Sequence, residues 1–334
     1  MMTYLKSGYL SHPQQAYTLR RTSIIEGPAK GSDLIEIVNC CGLQLDLLPD
    51  AGLDIGQLRF KGHNISWISK NGYDTPARLS PFEDEFMRTF PGGLLYTCGL
   101  RNTGAARRDQ GEWQPMHGRY HSHAADHIST MMEKEEICIQ GIVRETALFG
   151  PAFEVRRTIQ IPVFGSEITV SDEITNLSHS PQEFALLYHC NFGWPFVTKH
   201  TELKFPKDHR TTPRTSYAKT LLGQECFFSD PHPNEEEAVF FHENMKHEAT
   251  LFSHELGIGM TLTWSDTLPI LAQWRSMSSG DYVCGLEPTN CYIMGRSSER
   301  ENGTLPVLQP FNTVHTKICF SFWSDCSQIA ENKS

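Results

Sequence analysis

The chain has 334 residues, of which 39% are hydrophobic, and a formal net charge of -10. This size is enough for a large core, in one big β domain or in two smaller domains. The negative charge argues against nucleic acid or an anionic membrane surface as a partner, and no apolar run reaches the roughly 18 residues that a membrane helix needs.

The cysteines and the N-terminal residues indicate the cellular compartment of the protein. The ten cysteines include the adjacent pair Cys40-Cys41 and residues such as Cys138, Cys190 and Cys284 inside apolar, strand-like runs. Since no CxxC pair is present, this pattern predicts buried thiols in a reducing compartment. The first residues also lack the apolar core of a secretory signal. We therefore expect a cytoplasmic protein.

Short apolar or alternating runs, separated by Gly, Pro, Asn and Asp, predict strands along most of the chain. In chain order the runs are residues 34–38, 43–48, 137–143, 153–161, 168–174, 184–190, 238–241, 249–252, 258–264, 282–286 and 314–323. Helical periodicity is confined to a turn or two at residues 215–222. Many short strands with turns between them predict an all-β sandwich or barrel.

The chain shows no linker, low-complexity tract or internal repeat that would divide it. We expect residues 1–31 to form an N-terminal extension, residues 32–325 a single β domain, and residues 326–334 a polar tail. The polar, Pro-rich segment 199–234 predicts a long surface excursion.

A general base is predicted in the stretch QWRSMSSGDYVCGLEPTNC, residues 273–291. Glu287 follows the short apolar run 282–286, and Pro288 biases it toward extended backbone. Apolar neighbours would raise the pKa of this carboxyl toward the range of a general base. The plain alternative is a solvated glutamate at the end of a strand. Trp274 and Asp281 favour the site, because aromatic and polar groups together suit a sugar-like ligand.

Two arginines flank a Pro-Gly-Gly loop at residues 91–93. The guanidinium groups of Arg88 and Arg101 could bind hydroxyls or carboxylates. Surface ion pairs are an equally good interpretation of both.

The segment MHGRYHSH, residues 116–123, is followed by His127 and is rich in histidine. His121 and His123 have the HxH spacing of β-barrel metal sites. The spacing fixes no third ligand, so we favour a solvent-exposed loop for His121, His123 and His127.

An apolar run ends in the segment LLYHCNFGWP, residues 186–195. His189 and Asn191 are two residues apart and therefore point the same way from a strand. A core histidine with a backbone partner is the common alternative, but Asn191 and Trp194 favour a pocket.

These motifs together resemble the galactose mutarotase-like superfamily, the aldose 1-epimerases, and most of all its aldose 1-epimerase-like branch. His117-Gly118 resembles the family's His-Gly step. His189 with Asn191 resembles its strand histidine followed by asparagine. Glu287, in GLEP, resembles the late glutamate of the mutarotases.

The resemblance covers roughly residues 34–323. The run 308–312, followed by 314–323, resembles the family's last turn and strand, although it reads Pro-Phe-Asn where the family usually has Pro-Gly-Glu. No residue matches the additional substrate-binding aspartate of the family.

The resemblance implies a large antiparallel β-sandwich with a sugar cleft across one sheet face, and a reaction without metal or cofactor. Glu287 would take the proton of the anomeric hydroxyl, His189 would give a proton to the ring oxygen, and His117 would help to polarise that oxygen. The ring would open to the aldehyde and close on the other face. Acidic inactivation would then be set by Glu287 and alkaline inactivation by a histidine.

The same resemblance implies a small-molecule sugar as the partner. The residues expected to bind its hydroxyls or stack on its ring are Arg88, Arg101, Arg119, Asn191 and Trp274. Neither the identity of the sugar nor an oligomeric state is predicted.

Two other functions stay open at this stage. One is a metal-dependent sugar isomerase of cupin type, which would use His121 and His123. The other is a sugar-binding module or sensor without catalysis. The joint presence of His117, His189 and Glu287 argues against this last hypothesis, because binding alone does not require an acid-base set.

Overall fold

The computed structural model describes residues 6, 8–75, 85–207 and 209–325. The predicted polar tail, 326–334, lies outside the described residues. None of the helices in the described ranges is long and apolar enough to span a membrane.

The described residues are mostly strand. The helices are α1 Glu85–Thr89, α2 Ser216–Thr220 and α3 Arg296–Glu301, with 3-10 turns at Pro13–Gln15 and Tyr120–Ser122. The strands are β1 Tyr17–Ser23, β2 Asp33–Asn39, β3 Leu43–Leu48, β4 Asp54–Phe60, β5 His63–Asn64, β6 Leu95–Leu100, β7 Arg107–Asp109, β8 Glu112–Gln114, β9 Asp126–Glu133, β10 Glu136–Thr146, β11 Ala152–Pro162, β12 Glu167–Asn176, β13 Gln182–Glu183, β14 Ala185–Phe192, β15 Thr201–Lys204, β16 Arg210–Pro213, β17 Ala238–Glu243, β18 Glu248–Ser253, β19 Ile258–Trp264, β20 Ile270–Ser278, β21 Asp281–Thr289, β22 Val307–Leu308 and β23 Thr313–Ser324.

Two large antiparallel sheets carry most of these strands. The front sheet has the order β1-β2-β3-β4-β6-β14-β21-β20-β17-β16, with β5 on β4. The back sheet has the order β15-β18-β19-β23-β12-β11-β10-β9. The predicted all-β antiparallel sandwich is confirmed.

The main core lies between the two sheets. Burial alternates along β10 and β11, as expected for strands with one face in the core and one in solvent. Leu95 and Tyr188 of the front sheet belong to the same buried cluster as Val155 and Phe320 of the back sheet. Side chains of both sheets therefore form one core.

The front sheet is buried on its other face as well. Every residue of β14 is buried, and a second cluster includes Tyr96, Leu187, Val239 and Ala272 from neighbouring strands. Phe90, which follows α1, belongs to the same cluster. This double burial explains why β14 reads as a continuous apolar run, and it makes the outer face of the front sheet the floor of a covered cavity.

A buried ionic network ties the two sheets together. The guanidinium of Arg157 contacts both carboxylate oxygens of Asp172, at 2.9 and 2.7 Å. It also contacts Asp54 Oδ1 at 2.6 Å. Tyr188, on β14, donates to Asp172 Oδ2 at 2.6 Å. These contacts give each buried charge of the network a partner of opposite charge, so none of them bears the free-energy cost of an unpaired buried charge.

Some local predictions are corrected by the structure. The predicted strand 282–286 is longer, because β21 continues to Thr289 and holds Glu287 in its interior. The predicted turn 276–281 is shorter, because β20 extends through Ser278. Carbonyls of the loop 224–229 accept hydrogen bonds from Gln273 and Arg275 of β20 and from Tyr282 of β21, so polarity does not mark the strand ends.

Two predicted segments carry strands that the sequence did not suggest. The segment 199–234 holds β15, β16 and α2, so it is not wholly an excursion. Residues 17–23, inside the predicted N-terminal extension, pair with β2 as the edge strand of the front sheet. The predicted domain limits stay a prediction.

Candidate active site

A cavity of about 420 Å³ lies on the outer face of the front sheet. Its volume falls within the roughly 300 to 1,000 Å³ typical of small-molecule sites. The lining residues are Trp67, Ser69, Lys70, Asn71, Phe86, Met87, Phe90, Gly104, Ala105, Met116, His117, His189, Arg214, Glu237, Val239, Trp274, Asp281, Glu287 and Ile293.

The floor of the cavity carries an acid-base pair. The register between β14 and β21 sets His189 directly opposite Glu287, so both side chains leave the sheet on the same face. His189 Nε2 lies 3.3 Å from Glu287 Oε1, and the side chains are 7% and 1% exposed. The contact is not aligned as a hydrogen bond, and Glu287 Oε1 has no hydrogen-bond partner among the described residues.

Gly285 makes room for the carboxylate of Glu287. It precedes Glu287 by two residues on the same face of β21 and pairs with Trp274 of β20. A Cβ atom at Gly285 would lie 2.7 Å from Glu287 Oε1 and 3.3 Å from Trp274 Cβ. Because Gly285 has no side chain, the carboxylate of Glu287 can occupy the space above Gly285 on the cavity floor.

We expect Gly285→Ala to slow the sugar ring opening that the sequence predicts by about tenfold to a hundredfold, because a displacement near 1 Å costs about that much. Enzymatic rate and thermal unfolding should be measured together. Gly165→Ala is the matched control, since its new Cβ would meet Pro162 Cβ at 2.9 Å in the turn between β11 and β12. Equal rates in both variants would show that Gly285 does not position the carboxylate.

His117 reaches the pair from a loop. Its backbone has φ 57°, a conformation that is uncommon outside glycine and often marks functional positions. Its N–H donates to Gly104 O at 3.0 Å and its carbonyl accepts from Gly99 at 2.9 Å. The imidazole centroid lies 5.8 Å from that of His189. The three residues predicted to be catalytic thus lie in one cavity.

Burial shifts the protonation of all three groups. Burial, and then the charge of Glu237, raises the pKa of Glu287 to about 8, although Arg214 opposes the shift. Burial, followed by His117, holds the pKa of His189 well below its ordinary value. Burial, followed by Arg214, lowers the pKa of His117 to about 4. Near pH 7 the His189–Glu287 pair therefore holds one proton, and it rests mainly on the carboxyl group.

Aromatic rings form the walls. Trp274 meets His189 edge to face at a centroid distance of 5.3 Å and Trp67 at 5.7 Å. Its indole N–H donates to Glu237 Oε2 at 2.8 Å. Phe90 contacts the His189 ring at 5.2 Å. Trp274, predicted as a wall of the cleft, lines the cavity.

Two predicted substrate-binding arginines are not brought into the cavity. The side chain of Arg88 is 74% exposed, with Glu85 at 3.9 Å. Arg101 Nη2 pairs with Glu112 Oε2 at 2.9 Å instead. Position beside the Pro-Gly-Gly loop did not determine which way either side chain points.

Arg119 and Asn191 are likewise outside the lining. Arg119 Nη2 donates to the carbonyl of Trp113 at 3.0 Å. Asn191 is fully buried, and its Nδ2 donates to the carbonyls of Gly93 and His189 at 3.0 Å each. Asn191 is therefore held against the backbone beside His189 and is not among the residues that line the cavity.

The remaining histidines of the His-rich segment have other surroundings. His121 Nδ1 contacts Asp54 Oδ2 at 2.8 Å, and its ring stacks on Tyr96. His127 is exposed. Across the part of the chain that the structure describes, no three His, Cys, Asp or Glu side chains converge as metal ligands.

Several lining residues were not predicted. Phe86 and Phe90 lie two residues either side of Arg88 in the sequence, and Arg88 was predicted to bind the substrate instead of them. Glu237 ends a run of three glutamates that looks like a solvated surface, and Arg214 stands between a proline and a threonine. Only strand pairing, which the sequence does not reveal, brings these two residues to the cavity.

A family model described as a domain of unknown function, DUF4432, matches residues 29–322. No curated protein matches the chain by sequence.

Solved structures share the architecture. A Klebsiella pneumoniae protein named "putative aldose 1-epimerase" has a TM-score of 0.86 and 21% identity, over 94% of this chain and 85% of that chain. A galactose mutarotase-like protein from Clostridium acetobutylicum has a TM-score of 0.65 and 14% identity, over 93% and 100%. Galactose 1-epimerase from Lactobacillus acidophilus has a TM-score of 0.61 and 12% identity, over 92% and 99%. The predicted galactose mutarotase-like fold is confirmed.

Proposed function

The chain belongs to the DUF4432 family, and we propose that it is an aldose 1-epimerase-like isomerase that interconverts the α and β anomers of a sugar. The observation that carries this proposal is the buried His189–Glu287 pair, 3.3 Å apart on the cavity floor. A carboxyl group and an imidazole that share one proton can donate and accept in a single step. The galactose mutarotase-like fold supports a sugar as the substrate.

Ring opening needs an acid and a base next to each other, because the anomeric hydroxyl and the ring oxygen are bonded to the same carbon. In the carboxylate–imidazolium form of the pair, Glu287 accepts the hydroxyl proton while His189 donates to the ring oxygen. The O–H electron pair becomes the second bond of the carbonyl, and the bond from C1 to the ring oxygen breaks. Its electrons stay on that oxygen, which takes the proton from His189.

The open-chain stage leaves Glu287 protonated and His189 neutral. Burial of the two side chains favours the same distribution of protons, so the surroundings do not oppose the proton transfers of ring opening. Rotation about the C1–C2 bond then presents the other face of the aldehyde. Closure reverses both transfers and gives the opposite anomer.

His117 supports the ring oxygen in this scheme. Burial lowers its pKa to about 4, so the imidazole is neutral near pH 7 and can donate only from one nitrogen. Its Nδ1 has no hydrogen-bond partner among the described residues, which leaves it available to a ligand. Trp274 and Trp67 supply flat apolar surface for the C–H face of a sugar.

The activity should follow a bell-shaped pH profile. Above about pH 8 the pair loses its only proton, since burial raises the pKa of Glu287 to about 8. Acidic loss requires a second proton on the pair, and it occurs well below the ordinary histidine range because the pKa of His189 is lowered. This order is the reverse of the one expected from the sequence. Rates that keep rising through pH 9 would contradict a shared proton.

The function can be tested by polarimetry with freshly dissolved single anomers of aldoses and ketoses. We expect the protein, after dialysis against a chelator, to accelerate relaxation of at least one sugar beyond the rate in buffer. Binding without acceleration would favour a sugar-binding module. Activity that is lost on chelation and restored by a divalent ion would favour a metal-dependent isomerase.

A further inference from the structure

The cavity holds a cationic side chain that has no hydrogen-bond or ion-pair partner among the described residues. Arg214 lines it, yet its guanidinium makes no hydrogen bond or ion pair with a described residue. The other cationic lining residue, Lys70, pairs with Asp281 at 2.7 Å. A guanidinium that faces an aromatic cavity without a protein acceptor is available to an acceptor on a ligand.

Strand pairing directs Arg214 to the cavity. It directly follows β16, and its N–H donates to Val239 O on β17 at 2.8 Å. The register of this pair sets Arg214 opposite Val239, so both side chains lie on the same sheet face. Thr215 caps α2 by accepting from Ala218 N at 3.1 Å. Arg214 is thus held between a paired strand and a capped helix.

The position of Arg214 is close enough to affect the acid-base groups. Its charge is among the causes that lower the pKa of both His117 and Glu287. Glu237, an anionic lining residue, accepts a hydrogen bond from the Trp274 indole N–H and forms no ion pair with Arg214 among the described residues. Lys70 and Asp281 pair with each other, so among the described charged lining residues Arg214 is the cation that has no counter-charge in contact.

We propose that Arg214 is a specificity-determining residue that binds an anionic substituent of the substrate, a carboxylate or a phosphate, so that the substrate is an acidic sugar. The planar fork of a guanidinium matches the two oxygens of such a group better than it matches a single hydroxyl. The inference rests on the proposed anomer interconversion and specifies its substrate class. Glu237, by contrast, can accept hydrogen bonds from sugar hydroxyls and repels an anion from its own side of the cavity.

The test compares neutral and acidic members of the same sugar series. Glucose, glucuronate and glucose 6-phosphate form one set, and galactose, galacturonate and galactose 6-phosphate form the other. We expect wild-type kcat/KM for anomer exchange, corrected for exchange in buffer, to be about tenfold or more higher for an acidic sugar than for its neutral counterpart. The two kinds of acidic sugar distinguish a carboxylate from a phosphate.

Arg214→Gln should lower kcat/KM for the acidic sugar by about tenfold to a hundredfold more than kcat/KM for its neutral counterpart, because any change in the acid-base groups affects both sugars alike. Arg214→Lys should keep part of the preference. Arg210→Gln is the matched control, because Arg210 begins β16, four residues before Arg214, has a side chain that is 66% exposed, and pairs with Glu243. Arg210→Gln should leave kcat/KM unchanged for both the acidic and the neutral sugar.

The inference is overturned if the wild type has the higher kcat/KM for neutral sugars. It is also overturned if Arg214→Gln lowers kcat/KM for acidic and neutral sugars by the same factor. Calorimetric titration separates this result from a failure of the proposed function. Acidic sugars that bind in an Arg214-dependent way, but whose anomers do not exchange, would support the ligand class and reject the isomerase. Neutral sugars that exchange at wild-type rates in Arg214→Gln, with no acidic sugar bound, would support the isomerase and reject the ligand class.

Discussion

Glu287→Gln is expected to lower the rate of anomer exchange by about a hundredfold or more, the usual contribution of a positioned acid or base. The amide keeps the shape of the side chain and can still bond a sugar hydroxyl. It cannot exchange a proton with His189 or with the substrate. Sugar affinity, measured by titration, should therefore change much less than the rate measured by polarimetry.

The stability of this variant provides a check on its fold. Burial raises the pKa of Glu287 from 4.5 to about 8, so the folded wild type loses stability as the pH rises between these values. The amide has no such loss, and the variant should gain stability relative to wild type over that interval. Glu237→Gln is the matched control in the same cavity, with an expected rate loss below about tenfold. A folded Glu287→Gln protein with the wild-type rate would remove Glu287 from the mechanism.

Arg157→Met is expected to lower the free energy of unfolding by about 3 to 5 kcal/mol, the cost of leaving buried charges without their partner. Arg157 is fully buried between the sheets and holds Asp54 at 2.6 Å and Asp172 at 2.7 Å. Methionine has similar length but no donor, so both carboxylates would lose their counter-charge. Denaturant unfolding at neutral pH measures the loss.

The neighbouring residue supplies the control. Arg156 pairs with Glu154 at 2.8 Å, but its side chain is 57% exposed, and such pairs contribute about 1 kcal/mol or less. Arg156→Met should therefore change stability by no more than that. Similar losses in the two variants would mean that the buried network does not hold the sheets together.

Periodicity explains the part of the fold that the sequence reveals. β10, β11 and β12 alternate because one face is in the core and the other in solvent, and their predicted positions are confirmed. β20 was missed because its polar residues, including Gln273 and Ser276, are buried under loops. A strand covered on both faces has no alternation to detect.

The candidate site likewise contains some residues that the sequence indicates and others that it does not. His117, His189 and Glu287 could be found because each lies in a local motif. Arg214 could not be found, since its approach depends on the pairing of β16 with β17. Arg88 was chosen for its neighbours along the chain, and its side chain points to solvent. Long-range register, which the sequence does not show, decides which polar groups share a cavity.

Anomer interconversion is tested most directly by an NMR experiment that reports binding and exchange in one sample. In the first measurement, saturation of protein resonances is transferred to a sugar that binds, which reports binding. In the second, the α-anomer signal is inverted, and transfer of the inversion to the β-anomer signal reports exchange. We predict both signals for at least one sugar, with an exchange rate proportional to protein concentration. Saturation transfer to every sugar that binds, with anomer exchange no faster than in buffer, would contradict the isomerase and leave a binding protein.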